Sequence, residues 1–372
     1  MRRKQIPILI LIVLSIIMVY DISVTGLNMF SNIVFRGNFP QSQGGFNIDP
    51  ALPHVSDSNS LSKSIPSLSE LIINNPAGSI MLIANDEDDI HIDYEITVYA
   101  TTEEDAAEYL KMLYIDVLQI GKQLQLDVKR PISTPTSING VRVSYKIYAP
   151  RRLALDILNR YGPVEIKGFD GYVKARNWYD LLRIEDIDNS IDVECNYGAA
   201  EVYNITGNAD IGNTYEITDI KGIGGNVMLR TRYSNLTIDQ VGGNLKIDTR
   251  YGKVSLDNVA GNLEVETNYA DLNARRIKGA INILGAYADI EVQDMVRKAN
   301  IRTRYGDITV GLLPHSEGYT FEGESSYGNI TGNIPLVTET VDKSTVKARG
   351  TIGEGKYLIK LNVNFGNITI TM

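Results

Sequence analysis

One cysteine, one tryptophan and three histidines are all that 372 residues contain of those types. Each scarcity excludes something. With Cys195 alone, no intramolecular disulfide can form, and cysteine usage does not report the compartment. His54, His91 and His315 share no spacing that makes a metal site. The chain holds no HExxH, no GxSxG, no phosphate-binding loop and no paired CxxC, so no enzyme class, metal or cofactor is legible in it. "GIGGN" near Gly222 is a corner and not a phosphate loop, because no helix follows it. Positive charge is also in deficit. A net charge of −9 gives no reason to expect nucleic acid as a partner, since phosphate binding needs a basic face. Helical periodicity is scarce as well, which excludes a helical repeat protein.

What is abundant is tyrosine. Tyr161, Tyr179, Tyr197, Tyr215, Tyr233, Tyr251, Tyr269, Tyr287 and Tyr305 follow one another at intervals of eighteen residues. With tyrosine as position 0, the coil "YGKVSLDNVAGNLEVETN" has apolar residues at positions 3, 5, 8, 12 and 14 and a small residue at 16. Polar residues stand between them. Glycine recurs at position 10, at Gly171, Gly207, Gly225, Gly243, Gly261 and Gly279. Two short period-2 strands and two corners per repeat make an all-β solenoid with an 18-residue coil over residues 161–372. Neighbouring coils sit about 4.8 Å apart, so the tyrosines must stack. Their phase matches positions 12, 14 and 16, which predicts rings leaning inward as a structural ladder, with an outward, sugar-binding ladder as the other reading. The pattern continues around Tyr327 and Phe365, interrupted by insertions near 313–320 and 337–350.

Residues 67–160 read as a small β-rich cap with one helix. "SELIINN", "GSIMLIA", "IHIDYEITVYA", "YIDVLQI", "KQLQLDVKR", "VRVSYKIYAP" and "LALDILN" alternate as strands do. "TTEEDAAEYLKML" is helical, with Thr102 as N-cap. Residues 28–66 are rich in Ser, Asn, Gly, Gln and Pro and read as a flexible linker. Residues 1–27 hold Arg2, Arg3 and Lys4 ahead of the apolar run Ile6–Tyr20, which reads as a single N-terminal membrane helix or as a signal peptide. Either places the rest outside the cytoplasm.

Among candidate sites, Asp170, Asp186 and Asp188 form the best acidic group. Asp170 and Asp188 share position 9 on adjacent coils, where a pair could bind Ca²⁺ or work as acid and base. The alternative is a solvated corner. Cys195 falls in the small position-16 column and reads as a buried, inert thiol.

The segment "GGNLKIDTRYGKVSLDNVAGNLEVETNYADL" resembles the repeat of the bacterial "putative adhesin" domain, a β-solenoid family. The tail "ESSYGNITGNIPL…GEGKYLIKLNVNFGNITITM" is similar to that family's ending, and the likeness covers roughly residues 67–372. The resemblance implies a bacterial cell-envelope location behind one membrane segment, a binding role and no catalytic residues. The expected function is therefore a non-enzymatic, membrane-anchored extracytoplasmic binding or scaffold protein, with an envelope protein or glycan as partner. A polysaccharide-acting enzyme on a β-solenoid is the alternative. The strand "FGNITITM" is expected to form the last rung of the solenoid, partly covered by the polar 337–350 insertion, with a residual tendency to self-associate or to accept a partner strand.

Overall fold

A computed structural model describes residues 48, 49 and 51–372. The apolar run read as a membrane helix or signal peptide lies outside the described residues, as does the first part of the 28–66 linker. Among the described residues no helix is long and apolar enough to cross a membrane.

The described chain is all-β apart from one helix. It begins with β1 (His54–Ser64), β2 (Glu70–Asn75), β3 (Ile80–Asn85) and β4 (Asp89–Ala100). Helix α1 (Glu103–Leu110) follows, capped by the Thr102 hydroxyl, which accepts from the backbone N–H of Asp105. Ala106 and Tyr109 form its buried face. Then come β5 (Tyr114–Ile120), β6 (Gln123–Lys129), β7 (Ile138–Pro150), β8 (Ala154–Tyr161) and β9 (Val164–Lys167). All seven stretches read as strands in the sequence are strands here.

The regular coils start with β10 (Val173–Tyr179) and β11 (Leu182–Ile187) and run to β22 (Ala299–Tyr305) and β23 (Ile308–Leu312). As far as β22 and β23, each strand pairs in parallel with the strand eighteen residues on, as Val173 with Ile191 and Leu182 with Ala200. The register makes columns. Leu155, Val173, Ile191, Ala209, Val227, Leu245 and Leu263 succeed one another along one of them, all buried. Burying a continuous apolar column in this way is the main stabilisation of a solenoid, because one coil alone has no second face to cover it.

Local backbone geometry explains how each coil enters its glycine corner. At position 7, Asp186, Asn204, Gln240, Asn258, Arg276 and Asp294 have φ between 52° and 61°, in the left-handed region. One such residue per coil resets the in–out alternation, so position 8 points inward again, as with Val259 and Ile277. At position 10, a Cβ on Gly261 would meet the carbonyl oxygen of Gly243 at 2.4 Å, so the close approach of successive coils demands glycine there.

Both ends depart from sequence order. The rung β2/β3 lies between β8/β9 on one side and β6/β7 on the other, all in parallel register. Much of the cap expected over 67–160 is therefore solenoid, with β4, α1 and β5 as an excursion. A rung completed after a long excursion breaks the sequence period without breaking the stack. Strand β1 is a second correction, since residues 54–64 were expected to be linker. It pairs antiparallel with β4 along its whole length. Only Val55 and Leu61 are apolar in it, so there is no alternation to see. Backbone pairing holds it, helped by bonds such as Ser60 Oγ to Asp93 Oδ1 at 2.7 Å.

At the other end come β24 (Tyr319–Tyr327), β25 (Ile330–Gly332), β26 (Val337–Thr340), β27 (Val346–Ile352), β28 (Tyr357–Phe365) and β29 (Ile368–Thr371). The last strands of the chain, β28/β29, are inserted between β22/β23 and β24/β25. "FGNITITM" is thus an interior rung and not the partly covered terminal rung expected from the sequence. The rung beyond it is β24/β25, and β27 covers β24 by antiparallel pairing. The 337–350 insertion is the hairpin that supplies this cover, with β26 outermost.

Candidate binding surface

Two corners line the solenoid, and each repeats one residue type. The tyrosine corner is a continuous stack. Neighbouring rings from Tyr161 to Tyr305 lie 4.7–5.2 Å apart with interplanar angles of 4–11°. Phe365 follows Tyr305 at 4.8 Å, and Tyr327 follows Phe365 at 4.7 Å. The rings do not lean into the core as their phase suggested. Tyr197, Tyr269 and Tyr287 remain 44–47% exposed. The reason is a shift in alternation, for Asn268 and Tyr269 both face outward and Ala270, next in line, is fully buried. At position 1, Gly198, Ser234, Ala270 and Ala288 are buried, whereas Asp180 and Glu216 are exposed with φ of 87° and 71°.

Exposure does not make the ladder a sugar platform. A stacked ring has its two faces against its neighbours, so only edges and hydroxyls meet solvent. The first ring has the Arg160 guanidinium 5.5 Å from its centroid. Burial pushes the phenols of Tyr179 and Tyr269 above their usual range, and repulsion between neighbouring phenolates adds to this.

Beneath the tyrosines runs a buried polar column at position 16. Its side chains serve the inward carbonyls of the corner. Asn177 Nδ2 donates to the carbonyls of Gly162, Asp180 and Leu181, Thr267 Oγ1 to Ala270 and Ser325 Oγ to Gly366. Cys195 belongs to this column, fully buried, with Sγ 3.3 Å from the Gly198 carbonyl oxygen. Burial pushes its thiol up to about 12, so it is no nucleophile near neutrality.

The second corner carries an asparagine ladder that the sequence reading missed. Asn208, Asn226, Asn244 and Asn262 stand at position 11 of successive coils. Each Oδ1 accepts the backbone N–H of the next coil at 2.8–2.9 Å. Ser190 does the same for Asn208 at 3.0 Å. The eighteen-residue recurrence of asparagine was there to be found. Beside this ladder runs a groove of about 700 Å³ that crosses several coils. Its side is formed at position 13 by Asp192, Asp210, Met228, Lys246 and Glu264, and Tyr172 stands at one end. A third column, at position 2, links Asp271, Asp289 and Asp307 through carboxylate-to-backbone bonds of 2.8–3.0 Å.

The acidic candidates separate into individual contacts. Asp170 Oδ1 lies 3.4 Å from Arg151 Nη1. Asp186 accepts from Asn204 Nδ2 at 2.9 Å and lies 3.5 Å from Lys167 Nζ. Asp188 accepts from Thr206 Oγ1 at 2.8 Å. These are the contacts of a solvated, paired corner. Among the described residues no group of three or more His, Cys, Asp or Glu side chains is arranged to hold a metal ion.

No curated protein matches the chain. Among solved structures it is similar to a "putative cell adhesion protein" from Clostridium sporogenes, at 13% identity over 86% of this chain and 99% of that one, with a TM-score of 0.20. It is also similar to a "putative adhesin" from Bacteroides fragilis, at 11% identity over 69% of this chain and 97% of that one, with a TM-score of 0.23. A third is a "putative lipid binding protein" from Parabacteroides distasonis, at 10% identity over 84% of this chain and 96% of that one, with a TM-score of 0.27. Likeness at these scores carries no weight for function. The family model is decisive, since it matches residues 68–371, nearly the whole described chain, in agreement with the resemblance read from the repeat and the tail. The chain belongs to the Toastrack DUF4097 family.

Proposed function

We propose that this chain is a non-enzymatic binding or scaffold protein, held at a membrane by its N-terminal apolar run and displayed outside the cytoplasm. The observation that carries the reading is the repetition of outward groups in register. Coil after coil presents the same side chains at the same corner, so contacts are distributed along an axis and do not converge on one reacting atom. Convergence is what catalysis requires. The carboxylates that a polysaccharide-acting enzyme would need are engaged with Arg151, Lys167, Asn204 and Thr206. The basic residues Arg2, Arg3 and Lys4 ahead of Ile6–Tyr20 support the anchoring and its orientation.

The test is fractionation of bacterial cells that produce the full chain, followed by protease treatment from outside. The protein is expected with the membranes, cleavable from the outside, and releasing no reducing sugar from wall polysaccharides. Recovery in the cytosol would overturn the location, and steady release of reducing ends would overturn the non-enzymatic reading.

A further inference from the structure

The groove beside the asparagine ladder has the chemistry of a particular ligand. Each ladder Oδ1 is committed to a backbone N–H, which fixes the plane of each amide. Among the described residues, the Nδ2 groups of Asn208, Asn226, Asn244 and Asn262 have no protein acceptor. They form a row of donors with one per coil, about 4.8 Å apart. The charges beside them are largely matched internally. Arg230 Nη2 lies 2.6 Å from Asp210 Oδ1, and Lys246 Nζ lies 2.8 Å from Glu264 Oε1. Asp192 leaves the groove slightly negative. Two apolar surfaces interrupt the polar wall, Met228 at 40% exposed and the Tyr172 ring at 42%.

We propose that this groove binds an uncharged, hydroxyl-rich polysaccharide lying along the solenoid axis. Sugar hydroxyls accept from the amide row, and the C–H faces of the sugar rings rest on Met228 and Tyr172. A polyanion is disfavoured by Asp192, Asp210 and Glu264. One hydrogen bond to a neutral donor contributes little net affinity, so a single sugar is held weakly. A linear polymer meets several equivalent amides in one event, and affinity should grow with chain length. The proposal rests on the binding reading above and gives that reading a ligand class and a site.

The test is calorimetric titration of the full chain in detergent. The probes are neutral β-linked hexasaccharides of glucose and of N-acetylglucosamine, their disaccharides, and a galacturonate hexamer. The variant is Asn226→Ser with Asn244→Ser. Ser190 already fills this column with its hydroxyl as acceptor, so the variant keeps the ladder and removes two amide donors. At least one neutral hexamer is expected to bind tenfold or more tighter than its disaccharide and than the galacturonate. The double variant is expected to lose at least tenfold at an unchanged melting temperature. If the variant melts early, Met228→Glu, on an exposed side chain outside the ladder, must produce the loss instead. No binding of either neutral hexamer, preference for the galacturonate, or affinity indifferent to both variants would overturn the proposal. Each of those results leaves the membrane location and the absence of catalysis as they stood, because those are read by fractionation and product release.

Discussion

Phe365 stacks on Tyr327 at 4.7 Å with its ring within 4° of parallel, although Tyr327 precedes it in the chain by a whole hairpin. Its other face meets Tyr305 at 4.8 Å. The column at position 2 follows the same order, since Asp307 accepts from Asn367 N at 2.7 Å and Asn367 accepts from Asn329 N at 3.0 Å. The chain lays down its penultimate rung last, and closing that rung joins the end of the solenoid to the body.

Truncation after Lys356 should therefore do more than fray a terminus. It removes an interior rung and leaves β24 without its parallel neighbour. In a stack where each rung contacts only the next, disruption is confined to the rungs beyond the gap. Hydrogen exchange should show lost protection over 319–327 and 346–352, with Val173–Tyr179 still protected. Retained protection in β24 would mean that β27 alone suffices to hold it.

The tyrosine ladder should contribute through contact between rings more than through burial. Tyr269 stacks on Tyr251 at 5.0 Å and on Tyr287 at 4.9 Å. Each such pair contributes about 0.5–1.5 kcal/mol beyond area burial. Tyr269→Ala should cost about 1–3 kcal/mol, less than the loss of a fully buried ring. Tyr269→Phe should cost little, because Phe365 already serves in the same stack. Denaturant midpoints of the two variants decide this, and equal losses in both would assign the stabilisation to the hydroxyl.

Much of this architecture could be read from the sequence, and the failures have physical causes. Period and strand content were legible because every consecutive coil repeats the same contacts. Leu245, Ile247 and Val259 show alternation and its reset in one stretch. The side of the tyrosine ring was not legible, because parity fails where Asn268 and Tyr269 both turn outward. The order of rungs at the ends was not legible either, since β2 and β28 find their neighbours across long excursions. The asparagine ladder was visible as a period but carries no hydrophobic signal, and its meaning depends on the backbone N–H that each Oδ1 faces.

Alkali should weaken the fold through the tyrosine corner in addition to Tyr145 and Tyr203, whose phenols burial also raises. The phenols of Tyr179 and Tyr269 stand above their ordinary value in the folded chain, by burial first and then by repulsion between neighbouring phenolates. A raised folded value means that the folded state holds the proton more tightly than the unfolded one. The stability is present in full below about pH 10, the unfolded value, and is lost as pH rises through the folded value. Melting temperature should be level up to about pH 9 and fall above about pH 10, in step with phenolate absorbance. Tyr269→Phe should make the fall shallower. A melting curve indifferent to phenolate formation would remove the ladder as its cause.

The hairpin β26–β27 should guard the end of the stack. Strand β27 pairs with β24 from Tyr319 to Ser325 and so uses backbone groups that would otherwise face solvent as a strand edge. Tyr319 and Phe321 on β24 are buried, and an uncovered edge carrying such side chains is a template for another chain. Strand β26, the new outermost strand, is short and fully exposed, with Glu339 in its middle. Short length and charge are the means by which natural sheets blunt an edge. Deleting residues 337–350 removes β26 and most of β27 and bares β24. The deletion should self-associate in proportion to concentration, measured as mass by light scattering, while the intact chain in the same detergent keeps a constant mass. Constant mass in both would show that β24 needs no cover, and self-association by this end of the solenoid would fall with it.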